Sequence, residues 1–430
     1  MLPDFVRSLF LEGPAGSGKT TTAARYLVDL INQRSVPPDQ ILVLTAHPVL
    51  AAPYQKAVSG LSMRGAPEIT TLSGLARLAI FPFWSALVEQ QGFNPARTQP
   101  RFLSADLAQF HLHRFIQPYW EMCIFNAVRL PRHRVITQIL DSINHAALAS
   151  LSFSEVASRL TVAWGERHSS RRTLYETTMA VARQYHDFCR EYGLLDFALQ
   201  VSVLVNTLLD DLSFQSAFRE QFRYCVVDNV EEMGALAHDF IFWCMENVEK
   251  TVVVYDRDGG YRSFLGADPT NAYLLLDVCD QHVIMDQPVA LSPALRQLVM
   301  AAQTPVETDT PPTLSDVPPG VVVSTSTFYP QMIDDCVQQV QRLVTSEHVP
   351  PNQIALITPY LNDALLFALQ SRLQELAITS VYYRPSRPLQ TEAPAQMLIT
   401  LMQLAAASAE APMPLAVMQA LTSAIVALDP

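Results

Sequence analysis

The run GPAGSGKT at residues 13–20 constrains the fold of this chain more than any other feature. It fits the pattern G-x-x-x-x-G-K-[ST] in full, and it lies between an apolar run, Val6–Leu11, and an amphipathic run, Lys19–Asn32. The first reads as a buried strand and the second as a helix, so the glycines form a strand-to-helix turn. Gly13, Gly16 and Gly18 are expected to let the backbone take positive φ and approach a ligand closely. The N–H groups of Gly16, Ser17, Gly18 and the first helical turn, including Thr21, then form an anion-binding nest at a helix N-terminus. Lys19 adds a point charge for β- and γ-phosphates, and Thr20 offers a hydroxyl to Mg²⁺.

A phosphate loop of this kind needs a second strand that delivers a carboxylate to the metal's water shell. YCVVD, ending at Asp228, meets the requirement: apolar residues bury the strand and the aspartate emerges at its C-terminal end. Around these two strands, short apolar runs alternate with amphipathic segments, the pattern of a parallel α/β sheet. Ile41–Thr45, Ile69–Thr71 and Thr251–Asp256 read as further strands, and residues 234–246 as a helix. Between residues about 80 and 218 the alternation gives way to helical periodicity, so a helical insertion is expected there. Prolines crowd residues 287–320 (Pro288, Pro293, Pro305, Pro311, Pro312, Pro318 and Pro319), which reads as a semi-rigid linker. The pattern restarts with Val321–Ser324 and Ile354–Thr358 as strands, and Met332–Thr345 and Asn362–Leu376 as helices.

Length and composition narrow the function. With 430 residues, two to three domains are expected, and 49% hydrophobic residues suffice for sizeable cores. No apolar run reaches the roughly 20 residues of a membrane span, and MLPDFVRS carries no signal-like core, so a cytoplasmic protein without membrane association is expected. The six cysteines form no CxxC pair, which argues against zinc or iron–sulfur sites and for buried free thiols. A net charge of −12 argues against wholesale coating of nucleic acid and leaves room for a local groove. Two basic spots, Arg129, Arg132, His133 and Arg134, then Arg167, Arg171 and Arg172, read first as solvated helix ends.

The order of motifs resembles UvrD/Rep-type superfamily 1 DNA helicases and the related RecB-type exonuclease-helicase subunits. GPAGSGKTTTAARYLV resembles the family's first motif, and ILVLTAHPVLAA is a weak copy of a single-strand contact segment. ITTLSGLA (69–76) is similar to T-F-H-S-L-A, and GLLDF (193–197) to G-x-x-D-F. VVDNVEE (226–232) stands where the family has V-D-E-x-Q-D. VVYDRDGGYRSFLGADP (253–269) aligns on V-G-D-x-x-Q-S-I-Y-x-F-R-G-A-D-P, and residues 350–373 resemble the opening of the second motor domain. The resemblance implies a RecA-like P-loop NTPase domain over residues 1–286 with its helical insertion, the linker, and an incomplete second RecA-like domain over 321–430. It implies ATP and Mg²⁺ as cofactors, and a catalytic pair at positions 228 and 229. Single-stranded or partly duplex DNA is the implied partner, contacted by Thr45, Thr71 and Ser73.

The departures bear on mechanism. The family's glutamate after the metal aspartate, which activates the attacking water, is Asn229 here, and an amide cannot take a proton. A general base is worth about 10²–10⁴ in rate. Glu231 or Glu232 could substitute only through a shifted turn. The family's γ-phosphate-sensing glutamine falls on Gly259, the arginine of F-R-G-A on Leu265 with Arg262 nearby, and the arginine of the second domain's first motif on Pro359. The glutamine-containing adenine motif is not found before Gly13, nor the last family motifs before residue 430. Nucleotide binding is therefore expected to survive while rapid hydrolysis does not. Two readings stay open: an ATP-driven DNA motor of repair or recombination with weak turnover alone, and a non-motor nucleotide-binding or DNA-clamping subunit of a helicase–nuclease complex. An unrelated P-loop kinase would need neither the helical insertion nor the second α/β domain.

Overall fold

The computed structural model describes residues 2–61, 64–125, 128, 130–165, 169–303, 322–382, 398–399 and 401–402. The chain divides into two compact units, residues 1–305 and 306–430.

The first unit is built on a six-stranded sheet. Its strands are β1 (Ser8–Gly13), β2 (Ile41–Thr45), β3 (Glu68–Thr70), β6 (Tyr224–Asp228), β7 (Lys250–Asp256) and β8 (Gln281–Ile284). They run parallel in the order β3-β2-β6-β7-β1-β8. Alternation along each strand assigns its side chains to two faces. Leu9, Leu11, Ile41, Val43, Val226, Val252 and Val254 enter one core with α1 (Lys19–Asn32) and α2 (Ala52–Val58). Phe10, Leu42, Leu44, Cys225, Val227, Val253 and Tyr255 enter another, shared with the helices of the insertion. Both faces being covered, the central strands read as nearly continuous apolar runs.

The insertion holds α3 (Leu72–Ile80), α4 (Trp84–Gln91), α5 (Ala105–Glu121), α6 (Arg132–Leu148), α7 (Phe153–Leu160), α8 (Ser169–Tyr192), α9 (Phe197–Asn206) and α10 (Leu212–Gln221), with a two-stranded ribbon of β4 (Arg101–Phe102) and β5 (Leu194–Leu195). GLLDF has a local reason. Gly193 takes φ 64°, Leu194 and Leu195 form β5, and Asp196 caps α9 by accepting the Leu199 N–H at 2.9 Å. Burial works against the Asp196 charge, yet His186, 3.4 Å away, and the Leu199 amide hold its carboxyl below the usual range. The chain returns through α11 (Ala235–Asn247) and α12 (Pro269–Tyr273).

Two expectations need correction, and one strand has no counterpart among them. Residues 287–320 are not uniformly broken by proline: α13 (Pro293–Gln303) begins at Pro293, with the Leu295 N–H donating to Ser292 Oγ at 3.2 Å. At the first position of a helix, proline's missing N–H costs nothing. Strand β8 was not expected, because QHVI is half polar; it is an edge strand, and its one neighbour, β1, supplies the ladder. In the second unit, α14 (Tyr329–Thr345) and α15 (Asp363–Glu375) pack through Ile333, Val337, Val340, Leu365 and Leu373. Residues 322–324 and 354–358, expected as strands, form no ladder among the described residues. A strand is defined by its partner, and most of the chain after Tyr382 lies outside the described residues, as do Val321, Pro305 and the later linker prolines.

Of the basic spots, Arg129 and Arg167 lie outside the described residues. Arg132 sits 5.1 Å over the Trp120 ring and Arg172 pairs with Glu176 at 3.0 Å. Cys189, Cys225 and Cys244 are buried free thiols, whereas Cys123 is exposed. Among the described residues no single helix is long and apolar enough to cross a membrane.

Candidate nucleotide site

The sheet order explains why distant residues meet. β7 lies between β1 and β6, and the registers place Gly13 opposite Asp256 and Thr45 opposite Asp228. The phosphate loop and two aspartates therefore share the C-terminal edge of the sheet, where open α/β sheets bind ligands.

Within the loop, Gly16 (φ 75°) and Gly18 (φ 90°) adopt the left-handed conformation expected of them. Gly13 is glycine for another reason: a Cβ there would meet the Met285 carbonyl oxygen at 2.5 Å and Ser17 Oγ at 2.8 Å. Gly18 is the N-cap of α1, so the N–H groups of Lys19, Thr20 and Thr21 head the helix without intrahelical acceptors. Thr21 is exposed, Thr20 half-buried and Ser17 buried.

Lys19 is only 6% exposed. Its Nζ donates to the carbonyls of Gly13 (2.9 Å) and Pro14 (2.7 Å), lies 3.4 Å from Ser17 Oγ, and pairs with Asp256 Oδ2 at 3.2 Å. Asp228 is buried and accepts two hydrogen bonds, from the Tyr54 hydroxyl at 2.8 Å and from the backbone N–H of its neighbour Asn229 at 2.8 Å. Burial pushes the Asp228 carboxyl above the usual range, while these donors and the Lys19 charge pull it down. Burial and the adjoining carboxylate push the Tyr54 phenol far up, so Tyr54 stays a donor. The set fits Mg-ATP. Lys19 and the helix-head amides would hold phosphates, and Thr20 and Asp228 would hold the metal and its waters, which supply charge neutralisation.

The model of the UvrD/REP helicase N-terminal domain matches residues 4–277. The chain belongs to the UvrD/REP helicase family. Comparison with curated proteins finds no match. Membership agrees with the six-stranded parallel sheet and makes this a superfamily 1 helicase-like protein.

Two of the positions where this member departs from its family, 229 and 259, follow the C-terminal ends of β6 and β7. Asn229 is in the left-handed region, φ 60° and ψ 46°, which asparagine tolerates better than most residues. This turn sends Glu231, 1% exposed, inward, where Oε2 accepts the Asp256 N–H at 3.0 Å and Oε1 lies 3.5 Å from Asn229 Nδ2. A Cβ on Gly259 would sit 2.6 Å from Glu231 Cγ, so the space beside residue 259 is filled by Glu231. Burial, with Asp256 and Asp228 nearby, pushes the Glu231 carboxyl up to about 7. Glu232 turns elsewhere and accepts the Gly260 N–H at 2.9 Å. Leu265 is exposed on the turn after β7, next to Gly266, which takes φ 94°.

The expected strand contacts separate. Thr71 and Ser73 line a shallow groove with Pro48, Gln55, Thr70 and Arg77. Thr71 also caps α3, accepting the Gly74 N–H at 3.2 Å, and its Oγ1 lies 3.2 Å from Ser73 Oγ. Thr45 does not join them. It is fully buried beside Asp228, and its hydroxyl donates to the His47 carbonyl at 3.2 Å, so it presents nothing to a strand.

Sequence reasoning passed over three residues. Asp256 could have been found by the logic that found Asp228, since it too closes an apolar strand. Glu12, buried at the end of β1, pairs with Arg257 and with His282 Nε2 at 2.6 Å, and so braces the base of the loop. Tyr54 gave no signal, being one aromatic on an amphipathic helix.

Proposed function

We propose that this chain binds Mg-ATP through Gly13–Thr20 and Asp228, acts on DNA in repair or recombination, and hydrolyses ATP slowly on its own. The observation that supports this reading is the contrast between the phosphate loop and the residues that follow β6 and β7. Lys19, Thr20 and Asp228 converge, while the next positions offer an amide at 229, no side chain at 259 and an aliphatic one at 265. The amide of Asn229 can hold a water but accepts no proton from it. An activating arginine is worth about 10³–10⁵ in phosphoryl transfer, and the F-R-G-A position lacks one. A single strand is proposed to lie in the groove of Thr71 and Ser73, held by polar and backbone contacts.

The same losses favour a second reading, in which the chain serves as a nucleotide-binding or DNA-clamping subunit beside a helicase or nuclease that supplies the turnover. Steady-state ATPase assays with and without single-stranded DNA, alongside calorimetry with Mg-ATP, test both. Binding with turnover far below one per second is expected. Turnover of about ten per second or more, ordinary for an enzyme, would overturn the slow-hydrolysis claim. Retention on a single-stranded oligonucleotide that weakens with added salt is expected, since phosphate contacts release counterions.

A further inference from the structure

Positions 231 and 259 form one unit in space. The left-handed backbone at Asn229 turns Glu231 inward, and its Cγ, Oε1 and Cδ lie 2.6, 2.9 and 3.1 Å from where a Cβ on Gly259 would be. Separations below 3.0 Å are not tolerated between such atoms, so any side chain at 259 must displace Glu231. The glutamate is not idle packing. Its Oε2 accepts the backbone N–H of Asp256 at 3.0 Å, and the Asp256 side chain holds Lys19 Nζ at 3.2 Å. Lys19 Nζ also reaches the Gly13 and Pro14 carbonyls, so its ammonium is fixed on three sides at the mouth of the loop. Glu231 thus stands one residue behind the group that meets the phosphates, and its anchor is the amide of the residue carrying the lysine's counter-charge.

We propose that Glu231 is a positioning residue for the phosphate lysine: by holding the Asp256 amide it sets the carboxylate that orients Lys19, and Gly259 is small to leave it room. The proposal rests on the reading that the loop binds Mg-ATP. It gives Glu231 no contact with the nucleotide. It makes an acceptor at 231 and a glycine at 259 interdependent, so that removing the acceptor or adding a side chain at 259 should give the same defect.

The experiment compares four variants, Glu231→Ala, Glu231→Gln, Gly259→Ala and the double Glu231→Ala/Gly259→Ala, by calorimetry with Mg-ATP and by thermal melts. Glu231→Ala and Gly259→Ala are each expected to weaken Mg-ATP about tenfold, the effect of misplacing one charged hydrogen-bonding group. Glu231→Gln should stay within about twofold of wild type, because its amide oxygen accepts the same N–H and fills the same volume. The double variant should bind no more weakly than Glu231→Ala, since the methyl at 259 then has nothing to displace. Rescue by glutamine and non-additivity in the double variant are results that general loss of stability does not produce. Wild-type affinity in a folded Glu231→Ala or Gly259→Ala protein, or additive losses in the pair, would overturn the inference. If Glu231→Ala fails to fold, Gly259→Ala against Glu231→Gln still decides: the first must weaken binding and the second must not. Absence of binding in the wild type would instead overturn the nucleotide reading on which this one stands.

Discussion

The grip on phosphate and the machinery beside it occupy one edge of one sheet, yet they differ in how they are built. At the grip, each polar group has a short-range reason. Gly16 and Gly18 turn the backbone, Lys19 spans the loop, and Tyr54 donates to Asp228. Beside it, at 229, 231 and 259, stand an amide in a left-handed turn and a buried glutamate in the room a glycine leaves. A binding site tolerates no such departure, because phosphate is recognised by many donors at once. A hydrolytic site can lose its proton acceptor and still fold, since its groups act on a water and not on the protein. Family membership therefore carries the architecture and the phosphate loop more securely than it carries turnover.

The contrast can be broken most directly at its stronger side. Replacing Lys19 by alanine should weaken Mg-ATP by about 100-fold or more, the loss of a charged donor to two phosphates. Calorimetry on the folded variant checks it, and affinity near that of wild type would remove the lysine from the site. A smaller effect is expected at Tyr54. Phenylalanine keeps the ring but leaves a buried carboxylate short of one donor, which costs about 1–3 kcal/mol of stability. Chemical denaturation of Tyr54→Phe measures this, and an unchanged midpoint would show the Tyr54–Asp228 bond to be inconsequential.

A third expectation lies on the other side of the contrast and concerns pH. The Glu231 carboxyl is raised by burial from its usual 4.5 to about 7, so between these values the folded protein holds a proton that the unfolded chain has released. Its contribution is fully present below about pH 4.5 and is lost as pH rises through 7. Melting curves across that window should show wild type losing stability relative to Glu231→Gln, which has no proton to lose. Parallel curves for the two proteins would place Glu231 in a more solvated setting than its 1% exposure implies.

Much of the fold is legible in the sequence. The strands at Ile41–Thr45 and Tyr224–Asp228 and the helix at Lys19–Asn32 follow from apolar runs and amphipathic spacing, and they form with those bounds. β8 escaped notice because half of QHVI faces outward at a sheet edge, and α13 because prolines read as breakers until one proves to be a first helical residue. Thr45 looked like a strand-facing hydroxyl because local sequence does not say which way a strand's last side chain turns.

The sequence alone determined the parallel α/β class, the phosphate loop and the amide at 229, since each depends on residue types over short, contiguous stretches. Tertiary structure alone decided that β7 inserts between β1 and β6, bringing Asp256 to Lys19, and that Tyr54 reaches Asp228 and Glu231 fills the space at Gly259. Those contacts join residues far apart in the chain. Their partners are chosen by sheet order and by backbone handedness at one asparagine, and neither quantity is written in local periodicity.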